Sequence, residues 1–206
     1  MMAEQESGAG DFDWEGRYRE KTARWDFGEV VPGLADWLAT QPPFEGGVAV
    51  PGCGHGHEAA AVAHAWPKAQ VVGTDLSETA ISEAQRLYHL PNLQLEVGDS
   101  FAHPGTQDLV AIIEHTCFCA IPPRLRPVYR DVAARRLRPG GMLVAIFYLH
   151  PEETEDEPDA GPPWGCSVPE LDVLFGECFE TTLSEVPQRA FPGREMRELL
   201  RVLTRR

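Results

Sequence analysis

Three glycines fall at alternate positions in the stretch VPGCGHGHE: Gly52, Gly54 and Gly56, between an apolar run and an alanine-rich one. Glycine loses more backbone entropy on folding than any other residue, so this density marks a chain that must turn sharply or lie close against another group. A bare strand-to-helix turn would satisfy the pattern, and so would a turn that carries a nucleotide-type cofactor. Further polar positions favour the second. Asp75, in VVGTDLS, follows roughly 20 positions after the turn, the distance at which an acid in a nucleotide-binding βαβ unit reaches ribose hydroxyls. Gly98-Asp99-Ser100 then offers polar side chains and a backbone N–H to flank an adenine edge. His55 and His57 could be combined with His64 as metal ligands, but no carboxylate or cysteine spacing accompanies them. They read as solvent-facing residues of the turn, and no metal is expected.

These residues need a scaffold that gathers strand ends. From Gly46 the sequence alternates strand and helix: GGVAV, a helix over 56–65, AQVVGTD, a helix over 77–89, LQLEVGD, QDLVAIIEH, a helix over 123–137, and GMLVAIFYL. Ser77 and Glu78 supply an N-cap and a first-turn acid. Continuous apolar strands separated by helices imply a parallel sheet covered on both faces. The tail differs. An acidic, proline-rich loop (HPEETEDEPDAGPPWG) precedes a short helix over 169–175, and two strands, FETTLSEV and ELLRVLTRR, follow without an intervening helix, as an antiparallel hairpin would. Residues 1–11 read as a disordered arm. Residues 12–206 read as one domain: a lid segment with helices over 12–40, a cofactor-binding core over 46–150, and a loop, helix and terminal hairpin over 151–206.

The charge sets limits on partners. With 18 Lys and Arg against 32 Asp and Glu, the formal net charge is −14, which disfavours nucleic acid and anionic membranes. No apolar run reaches the length of a membrane span and no signal pattern opens the chain, so a cytoplasmic location is expected. Five cysteines without CxxC spacing imply neither a disulfide framework nor a zinc site, and Cys117 and Cys119 read as reduced, partly buried thiols at alternate positions of a strand end.

The turn is G-x-G-x-G rather than G-x-G-x-x-G, and the chain leaves little room for a second nucleotide-binding half. A dinucleotide enzyme is thereby disfavoured. A seven-stranded, mostly parallel sheet with helices on both faces and a C-terminal antiparallel hairpin is the Rossmann-like α/β plan of class I S-adenosylmethionine-dependent methyltransferases.

The stretches DWEGRYREKTARWDFG, VPGCGHGHE, VVGTDLSETAI, GDSF, EHTCFCAIPPRLRPVY, LRPGGMLVAIFY and GPPWGCSVPEL resemble those of the thiopurine methyltransferase superfamily, most of all its thiol/halide methyltransferase branch. The resemblance spans roughly residues 12 to 204. It implies that Trp14, Tyr18 and Trp25 cover the cofactor, with Tyr18 standing where tryptophan is commoner. It implies that Gly52 touches the cofactor, that Asp75 holds its ribose, and that Asp99 and Ser100 meet its adenine end. His115 stands where halide and thiol members carry Tyr and thiopurine members Arg, beside both the cofactor and the acceptor. That difference argues against a thiopurine acceptor. Tyr148 matches a position that faces the substrate pocket.

A sulfonium methyl donor favours aromatic neighbours, which attract the cation without competing as nucleophiles. Trp14, Tyr18, Trp25 and Tyr148 suit that role, whereas Trp37 reads as core and Trp164 as a hydrophobic plug. Thiolates and hydrosulfide need no strong base, yet His115 can accept a thiol proton or donate to the nucleophile, and it can equally be satisfied by a backbone carbonyl. Glu114 reads as a local hydrogen-bonding residue. The expected acceptor is a small thiol or hydrosulfide, with halide and thiocyanate as further candidates. A small-molecule O- or N-methyltransferase, or a sensor that binds S-adenosylmethionine without turnover, are the alternatives. The protein is expected to act as a monomer or weak dimer.

Overall fold

The computed structural model describes residues 12–100, 108–149 and 161–206; the expected N-terminal arm and most of the acidic loop lie outside them. An N-terminal segment carries α1 (Trp14–Arg19) and α2 (Pro32–Thr40). Then come β1 (Gly46–Pro51), α3 (His57–Ala65), β2 (Ala69–Asp75), α4 (Glu78–Leu87), β3 (Leu93–Val97) and β4 (Leu109–His115). Two 3-10 turns lead into α5 (Arg126–Arg136), β5 (Leu137–Tyr148), α6 (Val168–Phe175), β6 (Phe179–Glu185) and β7 (Glu198–Arg205).

The seven strands form one sheet in the order β3-β2-β1-β4-β5-β7-β6. β1 to β5 run parallel, and β7 lies antiparallel between β5 and β6. The order reverses between β1 and β4, which opens a crevice at their carboxyl ends where ligands bind in open α/β sheets. β4 reads as an unbroken apolar run because both of its faces are covered. Ile113 packs with Val48, Val50, Ile146 and the fully buried Trp66 under α2, α3 and α4. Ile112 packs with Phe118, Tyr129, Phe147 and Phe175 under α5 and α6. Trp37 is a core residue, edge-on to Trp66.

The expected sheet and helix order hold, with shifted ends. The residues expected as one helix over 123–137 divide into a 3-10 turn and α5, because Pro127 is suited to a first helical turn, where its missing N–H is no loss. Cys117 and Cys119 do not occupy a strand end. Thr116 adopts φ +61°, β4 stops, and Cys117 heads a 3-10 turn over Phe118–Ala120. All five thiols are free, and burial pushes that of Cys119 up to about 12. The motifs CFCAIPP and GPPW belong together in space. The Trp164 N–H donates to the Cys119 carbonyl at 2.7 Å, and the Arg126 guanidinium donates to the carbonyls of Trp164 and Gly165 at 2.8 and 2.9 Å.

Candidate active site

The glycine turn joins β1 to α3 at the crevice. Gly52, Gly54 and Gly56 all have positive φ, +59°, +51° and +81°, so each needs the freedom that glycine alone has at little cost. Space is also short. A Cβ on Gly54 would sit 2.5 Å from the Tyr18 hydroxyl, and one on Gly52 would sit 3.1 Å from the Cys117 side chain.

Asp75 ends β2 directly behind the turn. Its Oδ2 accepts from the Gly54 N–H at 2.8 Å and its Oδ1 from the Ser77 N–H at 2.9 Å. Burial pushes the carboxyl up, against the lowering effect of these donors. A carboxylate has about four acceptor sites, so capacity remains for a donor such as a ribose hydroxyl. Asp99 and Ser100 follow β3 at the same edge. Ser100 is buried, its hydroxyl bonded to that of Thr74, and its carbonyl accepts from Arg136 at 2.9 Å.

The N-terminal segment lies over the turn. Its docking is specific: the Glu15 carboxylate accepts from the Ser77 hydroxyl at 2.6 Å and from the N–H and hydroxyl of Thr79, which caps α4 and holds the Glu15 carboxyl below its ordinary range. Tyr18 is buried, and Trp25 Nε1 donates to its hydroxyl at 3.0 Å. Trp14 packs edge-on against Trp25 with ring centroids 5.4 Å apart. Tyr18, Trp25, Gly52, Glu58 and His115 all line one cleft.

His115 ends β4 on the cleft side, and its register partner on β5 is Ile146; Tyr148 lies two residues further on. His115 Nδ1 lies 2.9 Å from Glu58 Oε1, and its Nε2 is buried without a hydrogen-bond partner among the described residues. Burial alone would raise the Glu58 carboxyl, but the neighbouring His115 and the N–H groups of Glu58 and Val31 hold it below its ordinary value. Tyr148 carries the Arg194 guanidinium over its ring at 4.8 Å, and the same guanidinium lies 5.2 Å from the Phe27 ring. Glu114 makes the expected local bond, accepting from the Phe118 N–H at 2.7 Å, and burial pushes its carboxyl up to about 7.

The expectation that His55 and His57 face solvent is corrected. Both side chains are largely buried and close on Asp26 of the N-terminal segment, His57 Nε2 at 3.2 Å from Asp26 Oδ1 and His55 Nδ1 against Asp26 Oδ2. His64 is exposed on α3, away from this group. Sequence reasoning also missed Glu58. An acid in the first turn of a helix ordinarily complements the helix dipole, and only the approach of β4 gives it a histidine.

A G-x-G-x-G turn at the switch point, an acid closing β2 and an antiparallel end to the sheet define a class I S-adenosylmethionine-dependent methyltransferase. The family model for thiopurine S-methyltransferase (TPMT) matches residues 10–202, and the chain belongs to that family. It is an S-methyltransferase enzyme that uses S-adenosylmethionine. Among its relatives are the "Probable thiol methyltransferase 2" of Arabidopsis thaliana, 31% identical over 85% of this chain and 74% of that protein, and the "Thiocyanate methyltransferase 1" of the same plant, 30% identical over 91% and 82%. The "Thiopurine S-methyltransferase" of Legionella pneumophila is 27% identical over 87% of each chain. Among solved structures, the 1,6-didemethyltoxoflavin-N1-methyltransferase of Burkholderia thailandensis, with bound S-adenosylhomocysteine, superposes with a TM-score of 0.70 at 17% identity, covering 92% of this chain and 84% of that one. No helix among the described residues is long and apolar enough to cross a membrane.

Proposed function

We propose that this enzyme methylates a small sulfur nucleophile, a thiol or hydrosulfide, and that His115 takes the acceptor's proton. The observation that carries this reading is the asymmetry of the His115 ring, with Nδ1 paired to Glu58 and Nε2 buried at the cleft without a partner among the described residues. A carboxylate only accepts, so Nδ1 must donate to Glu58, and the neutral ring then carries its lone pair on Nε2. That nitrogen is available to an S–H as the sulfur becomes a thiolate. S-adenosylmethionine, when bound, supplies the electrophilic methyl. Gly52, Asp75, Asp99 and Ser100 are proposed to hold it. Tyr18 and Trp25, with Trp14 behind them, are proposed to shield the cleft and offer aromatic faces to a cation, each contact contributing about 0.5–2 kcal/mol. Tyr148, under Arg194, is proposed to bound the acceptor side.

The names of the plant relatives, a thiol and a thiocyanate methyltransferase, support an acceptor that is small and sulfur-centred. The test compares a small thiol with iodide, which brings no proton. With the thiol, His115→Gln should be slower than wild type by roughly 100-fold, the usual scale of general-base assistance. Iodide should be turned over equally by the two proteins. Equal thiol rates for the wild type and His115→Gln would remove His115 from the proton transfer.

A further inference from the structure

We propose that Asp26, His55 and His57 form a binding site for a divalent ion of the zinc class, which ties the N-terminal segment to the glycine turn. Their donor atoms all lie within 4.8 Å of one another, drawn from two segments that are distant in sequence. Tetrahedral zinc with bonds of roughly 2.0–2.1 Å requires donors a little over 3 Å apart; His57 Nε2 already stands 3.2 Å from Asp26 Oδ1, whereas His55 Nδ1 is in direct contact with Asp26 Oδ2 and must draw back to admit the ion. Two imidazoles and one carboxylate leave a fourth position, and all three residues line the cleft, so an exchangeable ligand can complete the shell. Imidazole donors select zinc and neighbouring transition metals over magnesium or calcium, which require oxygen cages.

The supporting groups are also in place. The second nitrogen of His57, Nδ1, is 2.6 Å from the Tyr88 hydroxyl, which orients the ring with Nε2 toward Asp26. The Gly28 N–H donates to Asp26 Oδ1 at 2.8 Å and fixes the carboxylate. Asp75 adds negative charge in the vicinity of His55, which favours a cation there, whereas Glu83 is already paired with Arg86. The site is independent of the acceptor assigned to His115, and either can fail without the other.

The experiment uses the untagged chain, stripped with a chelator and titrated with zinc against a chromophoric competitor. Wild type should take up roughly one equivalent per chain, since one three-residue donor set is present among the described residues. Asp26→Asn and His57→Gln should each weaken zinc by roughly 100-fold or more, and Tyr88→Phe, which removes only an outer partner, by about 10-fold. His64→Gln, on the exposed side of α3, should bind as wild type does. Cobalt(II) loaded into the wild type should give the intense visible bands of four-coordinate geometry, a reading that needs no variant to fold. Zinc bound equally well by Asp26→Asn, no stoichiometric uptake, or a six-coordinate cobalt spectrum would each overturn the proposal and leave the three residues as a hydrogen-bonded latch.

Discussion

Glu58 Oε1 lies 2.9 Å from His115 Nδ1, a contact between α3 and the end of β4 made by residues 57 positions apart. Glu58 also accepts from the Val31 N–H at 3.2 Å, so one buried carboxylate ties together the N-terminal segment, the helix after the glycine turn and the strand that ends at the cleft.

Glu58→Gln should lower turnover of a thiol by roughly 100-fold or more, the usual scale of general-base assistance, because a neutral amide no longer fixes the Nδ1–H tautomer. The KM for S-adenosylmethionine should change little, whereas kcat should fall with a thiol and not with iodide, which brings no proton. Glu58→Asp should recover part of the activity. An equal loss of kcat with thiol and iodide would reduce Glu58 to a structural role.

Asp75→Ala should weaken S-adenosylhomocysteine by about 1.5–3 kcal/mol, the worth of hydrogen bonds to a buried charge. It also frees the Gly54 and Ser77 N–H groups, so some stability should be lost with it. Titration calorimetry reads the affinity, and unchanged binding by a folded variant would dismiss the ribose assignment.

Gly54→Ala should destabilise the fold by about 1–2 kcal/mol from the left-handed backbone alone, with a further loss from the Tyr18 hydroxyl, which would lie 2.5 Å from the new methyl. Tyr18→Phe in the same chain should restore the second part, giving a coupling of roughly 0.5–1.5 kcal/mol in a double-mutant cycle. Strict additivity in urea melts would mean that Tyr18 yields freely.

Glu114 sets a pH dependence whose sign follows from its raised carboxyl. Burial moves it from 4.5 to about 7, so the folded state holds a proton that the unfolded chain has lost between those values. Folding stability should therefore fall as pH rises through this window, with the penalty full above about 7 and worth about 3–4 kcal/mol. In Glu114→Gln that slope should disappear, making the variant gain on wild type between pH 4 and pH 8. Parallel stability curves for the two proteins would show that Glu114 is ionised at little cost.

Local pattern determined much of this protein. The period of apolar residues and the caps, Ser77 on α4 above all, depend on neighbours within a turn or two, so the strand and helix order was legible. The glycine turn was legible too, because a left-handed backbone restricts residue type at the position itself. Tertiary structure alone decided which distant side chains meet. Nothing near Glu58 in sequence indicates that β4 will bring His115 against it. Nothing near His55 and His57 indicates that Asp26 will come down between them and turn two apparent surface histidines into a half-buried cluster. Such pairings depend on how the N-terminal segment docks over the switch point, and that docking is held by contacts such as Glu15 with Ser77 and Thr79, which no local rule encodes. The physical reason is range: backbone preference acts over a few residues, whereas burial and charge pairing act across whatever the chain folds together.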